Sequence, residues 1–464
     1  MEPFVHTIIT PWANYVYDVS TNTILKVNSE TIKWIYNKQR DNLNISTNKE
    51  LHNLISHGYL KSNPITNICH PYYNIVQGYL ENNISNITLQ ISQGCNFFCR
   101  YCSFAGKGVL DRVHANINMS WAVAKKSLDF FITHSSYAKT LYISFYGGEP
   151  LLNFDIIYKC VKYLKEQHLN KDIQFYMTTN ASLLNEKNCD FLEKNNFHLL
   201  VSFDGPPEAQ NKNRKLASNG AGSYNIVYEK LKYISENHPI LMNNIELNAV
   251  IDPEIPSSII YDYFKNDYLI KNFKYQFSNL DQSKIDLSYY LDDKKRKEDS
   301  FEKLKCLLLL GDKINSKIND NTITSRFTIL QNNLKNKSRL PPTFSPRGQC
   351  IIGYKKLFVD VYGKLWPCEK ISTISDDLCI GDLDNGFNYD KINELLNFSR
   401  RFGERCKNCW CIRLCNICIS VLNTSRNLCG SNNEEICIST RKEIEEELLE
   451  LIVSAEIHKG TLKI

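Results

Sequence analysis

Three cysteines on one short loop are the residues with the clearest chemical meaning. The segment "GCNFFCRYCSFAGKG" has the spacing Cys95-x3-Cys99-x2-Cys102. Three thiolates this close can bind three irons of a cubic [4Fe–4S] cluster and leave the fourth iron for a ligand from outside the protein. A zinc site or a redox thiol pair is the alternative, but zinc needs a fourth protein ligand, and only His114 is nearby in the sequence. The spacing therefore favours an iron–sulfur cluster.

The alternation of sequence patterns from residue 86 onwards predicts the fold that carries this loop. Apolar or β-branched segments alternate with segments of helical periodicity, such as "SWAVAKKSLDFFITH" and "FDIIYKCVKYLKEQH". This alternation implies an α/β fold with a parallel sheet, and six strand–helix units predict a partial (β/α)6 barrel rather than a complete eight-stranded one. The predicted strands are 87–91, 141–146, 173–178, 199–203, 245–251 and 273–277.

Polar or glycine-rich loops follow the first four predicted strands. The cysteine loop follows the first strand, and "YGGEP" (146–150), "TTN" (178–180) and "SFDG" (202–205) follow the next three. In β/α barrels the loops after the strands lie at one end and carry the chemistry. We therefore expect these four loops to surround one site.

In combination, the cysteine spacing and the GGEP loop resemble the radical S-adenosylmethionine (radical SAM) superfamily, over about residues 86–280. The resemblance implies that S-adenosylmethionine (AdoMet) binds the open iron and is cleaved to a 5′-deoxyadenosyl radical. It implies an external electron donor such as flavodoxin or ferredoxin. It also implies a cofactor pocket. In this pocket Gly147, Gly148 and Glu149 would meet the methionine amino group, Tyr101 the adenine, and Thr179, Asn180 and Ser202 the ribose and carboxylate. Each of the last three residues, taken alone, is equally well explained as a turn or capping residue.

A second group of cysteines lies in the C-terminal region. Cys350-x12-Gly363-x4-Cys368 is followed by Cys406-x2-Cys409-x5-Cys415-x2-Cys418 and then by Cys437. Taken alone, the four cysteines at 406–418 are typical of a zinc ribbon. The whole arrangement resembles the SPASM extension of radical SAM enzymes that modify peptides.

The SPASM resemblance implies two auxiliary [4Fe–4S] clusters. The first would use Cys350, Cys368 and Cys418, and the second Cys406, Cys409, Cys415 and Cys437. The chain departs from the family pattern, because two residues rather than three separate Cys415 from Cys418 and because Cys411 is additional. The sequence leaves four alternatives for the fourth ligand of the first cluster, namely Cys411, Cys379, Cys429 and a substrate thiol. The remaining cysteines are expected to be small buried hydrophobic residues, namely Cys69, Cys160, Cys189 and Cys306.

Residues 1–80 form a separate pattern. Three β-like runs, "VHTIIT", "NYVYDV" and "TILKV", precede helical patterns near 29–39 and 47–57, the first of them opened by Asn28 and Ser29 as a cap. This order resembles the winged-helix-like recognition domain of peptide-maturing radical enzymes, whose sheet edge suits addition of a peptide strand. A leader peptide bound there would raise the effective concentration of the attached core peptide at the barrel mouth.

These patterns divide the chain into five expected segments. They are a leader-recognition domain (1–80), a radical SAM partial barrel (86–280), a helical bridge (281–345), a SPASM domain (346–440) and a C-terminal helix (441–464) whose apolar stripe packs on the body of the protein.

Composition and charge exclude several classes of protein. The net charge of +5 over 464 residues is modest and its basic residues are interleaved with acids, which argues against a nucleic-acid partner. No apolar run reaches the length of a membrane span, and the N-terminus lacks the features of a signal peptide. We therefore expect a cytoplasmic protein, in which 17 cysteines indicate metal binding or catalysis rather than disulfides.

The function that these resemblances favour is maturation of a cysteine-rich, ribosomally made peptide by thioether crosslinks between cysteine sulfur and carbon. Carbon–carbon or carbon–oxygen crosslinking is an alternative. Another is oxidation of a sulfatase cysteine or serine to formylglycine, although sulfatase-maturing relatives generally lack a leader-binding front domain. The non-enzymatic alternative is a zinc-ribbon scaffold, which would be colourless, whereas iron–sulfur clusters are brown.

Overall fold

The computed structural model describes residues 2–37, 48–102, 114–252, 254–279, 304, 329–346, 350–422 and 432–457. Cys306, Cys429 and most of the predicted helical bridge lie outside these residues. The chain forms two compact units, the first from Met1–Tyr73, Asp299–Cys350 and Leu396–Ile464, and the second from Asn74–Glu298 and Ile351–Leu395. Within the described residues, no helix combines the length and the apolar character needed to cross a membrane.

The strands are, in chain order, β1 (Val5–Ile9), β2 (Asn14–Asp18), β3 (Thr23–Val27), β4 (Asn67–Ile68), β5 (Asn86–Ser92), β6 (Phe97–Cys99), β7 (Thr140–Gly147), β8 (Asp172–Thr179), β9 (His198–Ser202), β10 (Arg214–Leu216), β11 (Ile245–Ile251), β12 (Lys274–Asn279), β13 (Thr343–Phe344), β14 (Leu357–Val359), β15 (Lys364–Trp366), β16 (Gly381–Asp382) and β17 (Gly386–Phe387).

The α-helices of the described residues are α1 (Ser29–Tyr36), α2 (Lys49–Ser56), α3 (Val76–Asn82), α4 (Trp121–Thr133), α5 (Phe154–Glu166), α6 (Glu186–Lys194), α7 (Pro207–Asn213), α8 (Tyr224–Asn237), α9 (Pro239–Asn243), α10 (Ser257–Asn266), α11 (Tyr389–Leu396), α12 (Glu404–Lys407), α13 (Ile419–Leu422) and α14 (Asn432–Ile457). Short 3-10 turns lie at Pro150–Asn153, Ile270–Asn272, Asp376–Leu378 and Phe398–Phe402.

One mixed sheet organises the second unit. Its order is β12-β11-β9-β8-β7-β5-β14-β15-β16-β17, and the part from β12 to β14 is parallel. The six predicted strands are β5, β7, β8, β9, β11 and β12, and helices connect them, so the α/β class is confirmed. Along β7, Leu141, Ile143 and Phe145 are buried and alternate with half-buried neighbours, because side chains of a strand point to opposite faces in turn.

The first unit contains the N-terminal sheet, in which β1, β2 and β3 pair antiparallel. Asn28 caps α1 by accepting a hydrogen bond from Thr31 N, as expected from the sequence. One face of the sheet packs on these helices through Val16 and Val27. The other face, which includes Tyr17, shares a hydrophobic core with residues 411–414 and with α14. The predicted strands and helices are therefore present, and their likeness to a winged helix stays a prediction.

The C-terminal helix is longer than the sequence pattern indicates. We expected it from about residue 441, whereas α14 begins at Asn432. Glu434 and Glu435 lie in its first turn, where negative charge is favourable at the positive end of the helix dipole. Cys437 therefore lies on this helix rather than on a loop before it.

Candidate functional site

A short antiparallel ribbon fixes the loop of the three N-terminal cysteines. This loop follows β5, the first strand of the parallel sheet, and its middle part is β6, which pairs with β10 so that Cys99 lies opposite Arg214. Arg100 N donates to Asn213 O at 2.8 Å, and Ala217 N donates to Asn96 O at 2.9 Å. The backbone between the first and last cysteine is therefore held on one side by residues from far along the chain.

The three thiols of this loop are close enough to repel one another when ionised. Burial raises the pKa of Cys95 to about 12, and the neighbouring Cys99 and Cys102 contribute to the rise. Burial likewise raises the pKa of Cys99 to about 11, against the opposing charge of Arg214. Thiolates at these positions need compensating positive charge, which iron ions provide. This donor set fits the predicted cluster.

The glycines of the GGEP loop lie backbone to backbone against the segment that leads into the cysteine loop. Gly148 N donates to Ser92 O, and Glu149 N donates to Gly94 O, each at 2.9 Å. A Cβ at Gly147, whose φ is +136°, would lie 2.1 Å from Ser92 O. A Cβ at Gly148 would lie 2.1 Å from Gly94 O. Only glycine allows this approach, so the loop is built to lie against the cysteine loop.

Glu149 is fully buried among neutral donors. Its carboxylate accepts hydrogen bonds from Thr179 Oγ1 at 2.7 Å, Asn180 N at 2.7 Å and Leu151 N at 3.1 Å. Burial raises its pKa to about 7, although these hydrogen bonds act in the opposite direction. A buried carboxylate whose hydrogen bonds come from neutral groups favours a cationic ligand. This geometry fits the predicted contact with the amino group of AdoMet.

The raised pKa of Glu149 predicts a pH dependence of stability. Between its ordinary value of 4.5 and about 7, the folded protein keeps a proton on Glu149 that the unfolded chain has lost. Stability of the cofactor-free protein should therefore fall as pH rises through this window, by roughly 3.5 kcal/mol at about 1.4 kcal/mol per pH unit. Anaerobic urea unfolding at several pH values should show this fall in the wild type but not in Glu149→Gln. Parallel pH profiles for the two proteins would contradict it.

Tyr101 belongs to a buried polar network beside Cys99. Its hydroxyl donates to Asp204 Oδ2, which also lies 3.1 Å from Arg214 Nε. Arg214 Nη1 lies 3.9 Å from Cys99 Sγ, and its guanidinium is 5.3 Å from the centre of the Tyr101 ring. Sequence reasoning missed both Asp204 and Arg214. Asp204 lies within the predicted "SFDG" loop, whereas no sequence signal indicates Arg214.

The other predicted pocket residues lie at the ends of β8 and β9. Thr179 and Asn180 hold Glu149, and Asn180 Nδ2 also donates to Asn96 Oδ1 at 2.9 Å and lies 3.9 Å from Cys95 Sγ. Ser202 is the partly buried last residue of β9. The structure therefore brings Asn180 next to the cysteine loop and Thr179 next to Glu149, and their contacts with cofactor stay predictions, as does that of Ser202.

Five cysteines of the first unit line a second pocket. It holds about 660 Å³ of empty space, part of it open to solvent. Among its lining residues are Cys406, Cys409, Cys411, Cys415 and Cys437. The structure thus brings together the four predicted ligands of the second auxiliary cluster, and it places the additional Cys411 beside them.

The surroundings shift the pKa of the thiols of this pocket in different directions. The hydrogen bond between Cys409 and Cys411 is the main cause that lowers the pKa of Cys409 to about 6, and Arg441 contributes. Burial instead raises the pKa of Cys406 to about 12 and that of Cys415 to about 11. Thiolates at Cys406 and Cys415 therefore need compensating positive charge, which iron ions would provide.

The lining of this pocket offers the ligands that the predicted second auxiliary cluster needs. A [4Fe–4S] cluster takes one thiolate on each of four irons, and four of the five cysteines are the predicted ligands. The residues present therefore fit that cluster, whose presence stays a prediction.

The predicted ligands of the first auxiliary cluster belong to different units. Cys350 and Cys418 lie in the first and Cys368 in the second, so this ligand set stays a prediction. Cys379 Sγ donates to Gly381 O at 3.2 Å. Cys160 and Cys189 are buried in α5 and α6, as expected, and Cys69 is partly buried.

Comparisons with known proteins agree with this geometry. Residues 89–247 match the family model for the Radical SAM superfamily. The radical SAM cyclopropyl synthase TigE of Paramaledivibacter caminithermalis is 29% identical over 192 residues, which cover 40% of this chain and 38% of TigE. The cysteine-type anaerobic sulfatase-maturating enzyme of Clostridium perfringens is 26% identical over 344 residues, which cover 70% of this chain and 85% of that enzyme.

The fold is shared with a solved structure. Native anSMEcpe with bound AdoMet has a TM-score of 0.58 and 21% identity to this chain, and the alignment covers 80% of this chain and 99% of that one. The chain spans less than half of the length of TigE, so likeness to that relative concerns one region. Residues 89–247 of this chain therefore form a domain of the Radical SAM superfamily.

Proposed function

We propose that this protein is a peptide maturase that forms thioether crosslinks, from cysteine sulfur to carbon, in a ribosomally made precursor peptide. The observation that carries the proposal is the combination of structural elements in the first unit. There a strand-and-helix module of residues 2–37 and 48–73 shares one hydrophobic core with the five-cysteine pocket. A module suited to peptide binding and a redox centre are combined in one compact body, which suits an oxidative reaction on a peptide.

The residues at the end of the parallel sheet would prepare the reaction. When bound there, AdoMet and a [4Fe–4S] cluster would supply the radical chemistry that takes a hydrogen atom from the peptide. Cys95, Cys99 and Cys102 would hold that cluster, and Glu149 would accept hydrogen bonds from the amino group of the cofactor. Tyr101, held by Asp204, would lie beside the adenine. An external donor such as flavodoxin or ferredoxin would supply the electron.

The cysteines of the first unit would serve the second half of the reaction. Closing a carbon–sulfur bond removes a hydrogen atom from carbon, and a proton and an electron from the thiol, so an electron acceptor is needed. Cys406, Cys409, Cys415 and Cys437 would hold that acceptor as the second auxiliary cluster.

The N-terminal sheet would bind the leader of the precursor. Both β1 and β3 are edge strands of a three-stranded antiparallel sheet, and an edge strand offers unpaired backbone groups to an extended peptide. Apolar side chains are exposed on this module, among them Ile9, Trp12 and Tyr36. They would give such a peptide side-chain contacts in addition to backbone pairing.

Maturation of a sulfatase is the second candidate function. It is favoured by the match to the Clostridium perfringens enzyme, which covers 70% of this chain. In that case a cysteine or serine of a sulfatase would be oxidised to the aldehyde formylglycine. The product chemistry separates the two functions, because a thioether consumes a thiol and forms no aldehyde.

The test is anaerobic co-expression with a cysteine-rich peptide encoded beside the protein, followed by intact mass measurement before and after thiol alkylation. We expect the peptide to lose two hydrogen atoms per crosslink and one alkylatable thiol for each. Peptide co-expressed with a variant in which Cys95, Cys99 and Cys102 are alanine is the matched control, and its mass should not change.

Other outcomes of this experiment would contradict the thioether proposal. The same mass loss with every thiol still reactive would indicate carbon–carbon or carbon–oxygen crosslinks. An unchanged peptide, together with a hydrazide-reactive aldehyde on a co-expressed sulfatase, would indicate formylglycine formation.

A further inference from the structure

Cys411 is the feature of the five-cysteine pocket that the predicted ligand set does not use. Its side chain is 2% exposed and belongs to the hydrophobic core of the first unit, next to Ile412 and Leu414. Its Sγ lies 3.4 Å from Cys409 Sγ, a distance at which one thiol donates a hydrogen bond to the other sulfur. Cys411 therefore contacts a predicted cluster ligand directly, from the side of the protein interior.

The surrounding packing determines where Cys411 lies. The residue between the two cysteines, Trp410, stacks on His6 of β1 with ring centres 3.8 Å apart, and it meets Tyr17 of β2 edge-on at 6.4 Å. On the other side, Leu414 N and Cys415 N both donate to Cys411 O, at 2.8 and 2.7 Å. The Cys409–Cys411 segment is thus fixed by the N-terminal sheet and by its own turn, so the sulfur–sulfur contact does not depend on a flexible loop.

Either thiol of this pair could donate the hydrogen bond, so its direction follows from the ligand role of Cys409. A cysteine binds a metal as the thiolate, which has no proton to donate. With Cys409 as a cluster ligand, Cys411 is therefore the donor. Cys411 in turn lies away from solvent, where a neutral thiol is the favoured form.

We propose that Cys411 is a positioning residue that donates an S–H hydrogen bond to the Cys409 thiolate and thereby raises the reduction potential of the second auxiliary cluster. The inference rests on the proposed function, because it requires that cluster. Hydrogen bonds to the ligand sulfurs are one of the factors that set the potential of iron–sulfur clusters. The reduced cluster carries more negative charge, so a donor stabilises it more than the oxidised form. A higher potential makes the cluster a better acceptor for the electron that bond closure releases.

The experiment compares Cys411→Ala with Cys411→Ser in the full-length, anaerobically reconstituted protein. Iron per chain and an EPR-monitored redox titration are measured for both. The signal of the second auxiliary cluster is identified as the one missing from a variant with Cys406, Cys409, Cys415 and Cys437 replaced by alanine. Cys160→Ala, which removes a buried thiol from α5 in the other unit, is the matched control.

We expect Cys411→Ala to keep the iron content of the wild type and to lower the equilibrium constant for reduction of this cluster about three- to tenfold. At 59 mV per decade for one electron, that is a downward shift of roughly 28 to 59 mV. Cys411→Ser retains a donor and should recover at least half of the shift, and Cys160→Ala should show none.

Three results of the variant comparison would overturn the inference, and each has a different meaning. Loss of about four irons per chain in Cys411→Ala would make Cys411 a ligand. An unchanged reduction potential with unchanged iron content would mean that the hydrogen bond of Cys411 does not affect the cluster. Full iron content in the variant without the four predicted ligands would instead contradict the second auxiliary cluster and the proposed function with it.

A second measurement applies if Cys411→Ala does not fold. Resonance Raman spectra of the wild type in H2O and D2O then replace the variant comparison, and iron–sulfur bands without an isotope shift would also overturn the inference.

Discussion

Replacing Cys95, Cys99 and Cys102 together with alanine is expected to reduce 5′-deoxyadenosine formation to the background of the assay. The three thiols are on one loop held by the β6–β10 ribbon, and without them no iron remains to bind AdoMet. Iron content should fall by about four atoms per chain. Anaerobic incubation with AdoMet and dithionite, followed by chromatographic quantification of 5′-deoxyadenosine, measures the effect.

The matched control is the double variant Cys160→Ala and Cys189→Ala. Both residues are buried in helices of the same unit and have no predicted role in metal binding. This variant should keep its iron and its cofactor cleavage, apart from a modest loss of stability. Formation of 5′-deoxyadenosine by the triple variant at a rate above background would contradict the assignment of the cluster.

The second large effect is expected from Gly148→Ala. The new Cβ would lie 2.1 Å from Gly94 O, a backbone atom that cannot move without displacing the cysteine loop. A displacement of about 1 Å in a reacting site costs on the order of 100-fold in rate, so we expect cofactor cleavage to fall by about that factor. The initial rate of 5′-deoxyadenosine formation is the measurement, with circular dichroism as a check of folding.

Gly78→Ala provides the control for this substitution. Gly78 lies on α3 of the same unit, and a Cβ there would meet no atom within 4 Å. Because alanine is the better helix former, this variant should cleave AdoMet at the wild-type rate and be no less stable. A Gly148→Ala variant as active as Gly78→Ala would mean that the GGEP loop does not need its close approach to the cysteine loop.

Local sequence signals were sufficient to predict the parallel sheet. The six predicted strands of that sheet are runs of apolar or β-branched residues. The segments between them show helical periodicity of their apolar residues. The order of these elements then determines which loops meet at one end of the sheet. The positions of Cys95, Gly147 and Glu149 next to one another follow from that order together with the motifs.

Elements of two or three residues could not be predicted in the same way. Strands β14 to β17 extend the main sheet beyond β5, although their region reads in the sequence as a separate cysteine-rich segment. Strands this short have too few residues to show alternation. Their pairing depends on tertiary contacts, such as that of Trp366 Nε1 with Asp360 Oδ2 at 2.9 Å, which are invisible in a local pattern.

Contacts between distant segments explain the rest of what the sequence did not predict. Arg214 lies opposite Cys99 only because β10 pairs with β6. Similarly, His6 stacks on Trp410, so the N-terminal module shares a core with the cysteine pocket instead of forming a separate body. The motifs indicated the cysteines and glycines of the sites, whereas the residues that hold them became apparent from the fold.

The central claim is that the loop of Cys95, Cys99 and Cys102 holds a cluster whose open iron binds AdoMet beside Glu149. Electron–nuclear double resonance on the reduced, anaerobic protein tests it most directly, with AdoMet labelled with ¹⁵N at its amino group. The account predicts a ¹⁵N coupling to the cluster that weakens or disappears in Glu149→Gln and is absent from the triple cysteine variant. An EPR spectrum unchanged by AdoMet, with no nitrogen coupling, would contradict it.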